Sequence, residues 1–335
     1  MKKLGLMFVL GFALLLAACG NMSQDDVIEK LTANLRDATS YMANGTMTLE
    51  SDGQTYEYAI EVAFQRAGGF YRVTMRNETT NNEQIILKND EGVFVLTPSL
   101  NKKFKFQSDW PLSSSQIYLY ESLLSDILND ENAVFTAGEN SYVFETSANY
   151  HGNSDLVSQI VEFSRDTLAP LSAVVKDSNG TVRMTMSFDR FEFNAEMGDG
   201  FFDSEATMEQ TQNTMAVPAD AVDLEELELL PTFLPDGTIR ANRTVLAREG
   251  GERVILSFAG EHEFTIIQEA VTVGEEWNIV QTDGVPVFIN GTVGSLGENT
   301  LTWVRDGVEF FLVSETLDSD QMVSVASSIS SEYVK

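Results

Sequence analysis

Cysteine, histidine and basic residues are scarce in this chain of 335 residues. One cysteine and two histidines leave almost no material for a disulfide, a zinc site or a Cys–His nucleophile. Only 21 lysines and arginines stand against 51 aspartates and glutamates, so the formal net charge is −30. Because a nucleic acid or an anionic membrane surface would repel such a protein, the composition argues against nucleic acid as a partner.

Long hydrophobic runs are also missing. Residues 4–18 form one apolar stretch, shorter than the about 20 residues that a membrane-spanning helix needs. It follows Lys2-Lys3 and ends in Leu16-Ala17-Ala18-Cys19-Gly20, which matches the lipobox of bacterial lipoproteins. We therefore predict a lipoprotein signal peptide over residues 1–19 and lipidation of Cys19. A plain secretory signal with an incidental cysteine is the alternative.

Two or more acyl chains hold a protein at a membrane, whereas a single chain binds only marginally. The predicted modification would therefore anchor the chain to the extracytoplasmic face of the cell membrane. Motifs of nucleotide-binding loops, zinc proteases and serine hydrolases do not occur in the sequence. We predict no enzyme, no metal site and no cofactor, with a motif-free envelope hydrolase as a further alternative.

The mature chain begins with a helix signal. Ser23 and Asp26 have the spacing of a capping box, and an apolar stripe from Val27 to Met42 predicts a helix that stops at Asn44-Gly45. Alternating apolar residues then predict consecutive strands, typical of an antiparallel meander. A second helix is predicted after Trp110-Pro111, with Ser113 as its N-cap.

Residues 204–226 are acidic and hold few large apolar side chains, so they are interpreted as a partly helical linker. They separate a first domain over residues 24–203 from a second, smaller α+β domain over residues 227–335. The second domain is predicted to end in a helix capped by Asp318 and Gln321.

Three segments carry a resemblance to a known family: residues 92–111, residues 188–194 and residues 301–308. With the lipobox and the order of elements, they resemble the LolA-like lipoprotein superfamily, and in particular the Gram-positive, sporulation-associated YdcC-type lipoproteins with a C-terminal uncharacterised domain. The resemblance implies an α+β fold in which an unclosed antiparallel β-barrel wraps over helices.

The resemblance also implies a concave apolar groove that binds lipid acyl chains or the apolar segments of a lipoprotein client. The candidate groove residues are Phe64, Met75, Phe94, Leu96, Phe106, Trp110, Met184 and Met186. Two alternatives stay open: these side chains form only core, or the protein is a regulatory adaptor that binds an envelope protein partner through its outer surface. Lys102, Lys103 and Lys105 are either a site for a phosphate or acidic partner, or lysines that protect an edge strand.

Overall fold

The computed structural model describes residues 22–51, 54–80, 82–107, 110, 114–212, 224, 227–248, 251–271, 278–282 and 284–333. Within these residues lie four α-helices: α1 Gln24–Asp37, α2 Tyr120–Asn129, α3 Ser204–Gln212 and α4 Ser319–Ser327. No helix in the described ranges is both long and apolar enough to cross a membrane. The predicted signal peptide and Cys19 lie outside them.

The described part of the chain is mostly β-structure. The strands are β1 Ser40–Ser51, β2 Gln54–Gln65, β3 Phe70–Asn77, β4 Glu83–Asn89, β5 Gly92–Thr97, β6 Lys102–Phe106, β7 Val134–Ala137, β8 Ser141–Ser147, β9 Leu156–Ser164, β10 Pro170–Asp177, β11 Val182–Phe193, β12 Leu227–Pro231, β13 Thr238–Arg248, β14 Gly251–Gly260, β15 Phe264–Ala270, β16 Asn278–Thr282, β17 Val285–Ile289, β18 Thr292–Leu296, β19 Thr300–Arg305, β20 Val308–Ser314 and β21 Ile329–Tyr333.

Twelve strands form one large sheet in the order β16-β6-β5-β4-β3-β2-β1-β11-β10-β9-β8-β7. Strands β1 to β6 form the predicted antiparallel meander. Strand β1 also pairs with β11, which connects this meander to a second one formed by β7 to β11. The two ends of the sheet, β16 and β7, do not pair with each other, so the sheet stays open. The prediction of a large, unclosed and mostly antiparallel sheet is confirmed.

The inner face of this sheet packs over α1 and α2. Val27 and Leu31 from α1 join Leu123 and Ile127 from α2 in one apolar cluster with the strands, and all four are almost completely buried. Because side chains alternate across a strand, Val93 and Val95 of β5 face this cluster while Phe94 and Leu96 face the other side. On that other side α3 covers the sheet.

The C-terminal part, residues 227–333, contains a seven-stranded antiparallel sheet in the order β13-β14-β15-β20-β19-β18-β17. One face of this sheet packs in a second core with α4 and with the β12–β21 pair. Trp303 stacks on Phe310 in this core, with ring centroids 4.9 Å apart. The predicted capping box of Asp318 and Gln321 is confirmed at the start of α4.

The two predicted N-terminal helices need correction. The Ser23 capping box is confirmed, but α1 ends at Asp37, and β1 continues through Asn44-Gly45. A Cβ atom at Gly45 would lie 1.9 Å from the Ser187 carbonyl oxygen. This glycine therefore permits the close approach of β1 and β11 and does not end a helix. Helix α2 begins at Tyr120, and Ser113 lies outside the described residues.

The predicted linker is helical over its first residues, since Ser204–Gln212 form α3. This helix is not a free linker, because Met208 on it is fully buried against Phe94 and Leu96. This helix therefore belongs to the layer behind the large sheet. Most of the remaining linker residues lie outside the described ranges. Strand β16 was not predicted. It lies between β15 and β17 in the chain, but it pairs in parallel with β6 of the large sheet.

Candidate functional site

A cleft of about 400 Å³ lies where the large sheet meets the C-terminal part. Apolar side chains from both units line it: Met47, Leu49, Ile86, Trp110, Ile117, Leu156, Met184, Phe233, Val287, Phe288, Val293 and Val323. Cavities of this size with mainly apolar walls and a few polar groups are typical of ligand sites. The cleft is therefore the candidate functional site.

Polar groups surround this apolar lining. Hydroxyl and amide side chains come from the segment before α2, from the loop between β8 and β9, from the β17–β18 turn and from α4: Ser114, Gln116, Asn153, Asn290, Ser324 and Ser327. Glu50, Asp155, Arg183 and His151 add the ionisable groups. An apolar ligand with a polar end would find partners for both of its parts here.

A β-bulge places Arg183 at the cleft. The register of β10 and β11 shifts between Val175 and Lys176, opposite Arg183. The guanidinium Nε donates to Asp177 Oδ2 at 2.7 Å, and this carboxylate also accepts from the backbone N–H groups of Asn179 and Thr181. Because bulges re-aim side chains, the shift explains how a strand residue reaches the cleft beside Met184.

A half-buried carboxylate holds one wall of the cleft. Asp126 on α2 accepts hydrogen bonds from the Ser115 hydroxyl at 3.0 Å and from Gln159 Nε2 at 2.7 Å. The Ser115 hydroxyl also accepts from the backbone N–H of Asn149, and Ser115 N–H donates to the Asn149 carbonyl. Asp126 thus ties the two wall segments around Ser115 and Asn149 to α2 and β9.

Burial raises the pKa of Asp126 from about 3.8 to about 6, although its hydrogen bonds from Ser115 and Gln159 act in the opposite direction. The native wall therefore binds a proton more tightly than an opened wall with a solvated Asp126. Opening should become easier as the pH rises between these two values, and the corrected hydrogen-exchange protection of the Asn149 amide should fall by about tenfold from pH 5 to pH 7.

Asp126→Asn is the control for this prediction, because asparagine keeps the shape and does not titrate. Its Asn149 protection should be independent of pH after correction for intrinsic exchange. Tyr150 faces Asp126, and burial raises its pKa well above the usual value, so it stays neutral throughout. If the protection of the Asn149 amide in Asp126→Asn fell with pH as it does in the wild type, a group other than Asp126 would cause the pH dependence.

Several contacts fix the C-terminal part against the large sheet. Gln84 Oε1 accepts from the backbone N–H of Val293 at 2.7 Å and from the Thr292 hydroxyl at 3.0 Å. Lys102 Nζ and Glu309 Oε2 form a largely buried ion pair at 2.5 Å. The Asn290-Gly291 turn between β17 and β18 has positive φ at both residues, which is typical of a tight hairpin.

The structure divides the eight predicted groove residues into three groups. Trp110 and Met184 line the cleft. Phe64, Met75, Phe106 and Met186 lie in the inner core, where each is at most 5% exposed. Phe94 and Leu96 do not share that face, because strand alternation turns them towards α3. The structure therefore separates Phe94 and Leu96 from the other six.

The interpretation of the three lysines as protectors of an edge strand is wrong, because β16 pairs with the outer side of β6. Lys102 bonds Glu309 of the C-terminal part, as described above. Lys103 Nζ donates to the Ser204 hydroxyl and lies 4.6 Å from the centre of the Phe94 ring, and Lys105 lies 5.4 Å from the same ring. These lysines fasten neighbouring elements to β6.

Sequence reasoning missed Asp126, Arg183 and the part of the cleft formed by the C-terminal part. For Asp126 and Arg183 no local pattern exists, since burial and a bulge give them their positions. A signal did exist for the β17–β18 hairpin, because Asn-Gly between apolar runs is a strong hairpin pattern.

The chain is similar to proteins of one known family. The family model described as "Sporulation protein YdcC-like" matches residues 1–202. Sporulation protein YdcC of Bacillus subtilis (strain 168) is 38% identical over 340 residues, covering 100% of both chains. The YdcC-type resemblance predicted from the sequence is thereby confirmed.

Solved structures give weaker likenesses. A MucA/MucB complex of Pseudomonas aeruginosa has a chain that matches at a TM-score of 0.34 and 15% identity, with 92% of this chain and 99% of that chain covered. A LolA superfamily protein from Nitrosomonas europaea matches at a TM-score of 0.32 and 11% identity, with 56% and 100% covered. These low TM-scores support no conclusion about this chain. The family model and the 38% identity to YdcC show that the chain belongs to the sporulation protein YdcC-like family.

Proposed function

We propose that this protein is a membrane-anchored, extracytoplasmic lipoprotein whose cleft binds an acyl chain or a short apolar segment of a client. The observation that carries the proposal is the cleft of about 400 Å³ with apolar walls from two units and polar groups around them. Lipidation of Cys19 would supply the anchor. If it does, Cys19→Ser should move the protein from the membrane fraction to the soluble fraction.

Apolar burial would drive binding. Each Å² of apolar surface removed from water contributes about 25 cal/mol. Met47 and Met184 suit a ligand of variable shape, because the unbranched methionine side chain adapts its conformation to its neighbours. The serine and asparagine side chains around the cleft would hold the polar end of the ligand, such as a carboxyl, ester or amide group.

The packed inner core limits where a ligand can bind. Phe64, Met75, Phe106 and Met186 already fill the concave side of the sheet together with α1 and α2. We therefore place binding at the junction of the two units and not along the whole concave face. The C-terminal part contributes Phe233, Phe288 and Val323 to this site, which gives it a role in binding.

Ser324→Trp tests the proposal. Ser324 is an exposed residue of α4 that lines the cleft, so a tryptophan there should occupy the cleft without disturbing the core. We expect its affinity for a fluorescent hexadecanoic acid to be at least about tenfold weaker than that of the wild type, measured by fluorescence titration.

Ser125→Trp is the matched control, since Ser125 is an exposed helical serine on α2 away from the cleft. Its affinity should equal that of the wild type. The proposal fails if Ser324→Trp binds the probe as tightly as the control does, or if the wild-type protein binds neither this probe nor an apolar peptide.

A further inference from the structure

The seven-stranded sheet has an exposed apolar patch on the face opposite its core. We call this the outer patch, and it consists of Leu246, Ile255, Ile267, Phe311 and Val313. Leu246 is 46% exposed, Val313 44% and Phe311 37%, while Ile255 and Ile267 are half-buried. Contiguous exposed apolar side chains of this kind typically mark interaction sites.

Strand register brings these residues together. Ile255 pairs with Ile267, and Ile267 pairs with Phe311, so three large apolar side chains form one row across β14, β15 and β20. Val313 follows Phe311 by two residues and therefore lies on the same face. The apolar residues thus form a continuous surface across three neighbouring strands.

The outer patch continues a face that is already used for packing. Thr302 pairs with Phe311, and Val304 lies two residues further along β19 on the same face. Val304 is buried in the core of the large sheet, together with Val293 and Phe288 of the neighbouring strands. One half of this face therefore packs inside the molecule, while no described residue buries the other half to the same degree.

Carboxylates provide the unpaired charge next to the outer patch. Glu263 and Glu315 are exposed at one end, and neither forms an ion pair within the described residues. At the other end, Glu269 is paired with Arg253 and Glu309 with Lys102. Arg253 and Lys102 are thereby paired, whereas Glu263 and Glu315 leave negative charge beside the apolar side chains.

We propose that the outer patch docks a protein partner that presents apolar side chains next to lysines or arginines. Apolar contact would supply affinity at the centre, and the carboxylates would select and steer a basic partner. A second copy of this chain fits poorly, because each copy carries a net charge of −30. An anionic membrane surface is disfavoured for the same reason. This inference is independent of the cleft.

Synthetic peptides of about ten residues test the inference, since alternating residues match the two-residue period of a strand. One peptide alternates leucine with lysine, a second replaces leucine with serine, and a third replaces lysine with glutamate. We expect the purified protein to bind the leucine–lysine peptide at least about tenfold more tightly than either other peptide in fluorescence anisotropy. Raising NaCl from about 50 to about 300 mM should weaken this binding.

The double variant Phe311→Ser, Val313→Ser should lose at least about tenfold in affinity for the leucine–lysine peptide. Val134→Ser is the matched control, because Val134 is 59% exposed on β7 of the other sheet. Thermal unfolding confirms that each variant is folded. Equal binding by the double variant and the control, or equal binding of the serine–lysine peptide, would overturn the proposal. Ser324→Trp should leave this binding unchanged, which separates it from the cleft.

Discussion

Gly45→Ala is expected to lower the free energy of unfolding by about 3 kcal/mol. The new methyl group would lie 1.9 Å from the Ser187 carbonyl oxygen, a backbone atom that no side-chain rotation can move away. β1 and β11 pair at the middle of the twelve-stranded sheet, so any separation of these strands disturbs ladders on both sides. Urea denaturation followed by circular dichroism measures the effect.

Gly198→Ala is the control for this change. A Cβ atom at Gly198 would meet no atom within 4 Å, and its φ lies outside the left-handed region. Its free energy of unfolding should stay within about 0.5 kcal/mol of the wild-type value. A similarly small effect of Gly45→Ala would show that the two strands have room to separate at that point.

Gly291→Ala is expected to loosen the C-terminal part from the large sheet. The new methyl group would lie 1.5 Å from the Tyr58 hydroxyl oxygen, and Tyr58 is only 2% exposed, so its ring has little room to move. This clash and the strain of alanine at a φ of +89° should together lower the free energy of unfolding by about 3 kcal/mol. Since Asn290 and Phe288 line the cleft, binding of the fluorescent hexadecanoic acid should weaken as well.

Gly180→Ala separates the two causes. Gly180 also has a positive φ, +78°, but a Cβ atom there would meet nothing within 4 Å. It should therefore show only the backbone cost of about 1 kcal/mol and bind the probe normally. An equal loss in the free energy of unfolding for Gly291→Ala and Gly180→Ala would show that the contact with Tyr58 does not destabilise Gly291→Ala.

The sequence could predict features that depend on nearby residues. The capping boxes at Ser23 and Asp318 are set by side chains three residues apart, and most strands of the meander follow from alternation over a few positions. The stripe from Val27 to Met42 misled the prediction because Ala38 and Met42 fit a helical spacing and a strand equally well. The contact of Gly45 with Ser187 that decides between them joins distant segments.

The site was harder to predict because two separate units form it. Trp110 and Met184 were expected in an apolar groove and do line the cleft, but Phe233, Val287 and Val323 approach them only through packing of the C-terminal part. Which face of β5 points inward could not be predicted, since Val93, Phe94, Val95 and Leu96 are all apolar. A strand covered on both faces has no alternation from which its inner side could be read.

The β6–β16 pairing has a consequence for the order in which the protein matures. Strand β6 comprises residues 102–106, and its outer neighbour comprises residues 278–282. During synthesis, β6 therefore emerges long before the segment that covers it, and such distant pairings form slowly. In the interval the nascent chain exposes an unpaired strand edge, at which a chaperone or a premature intermolecular contact would act first.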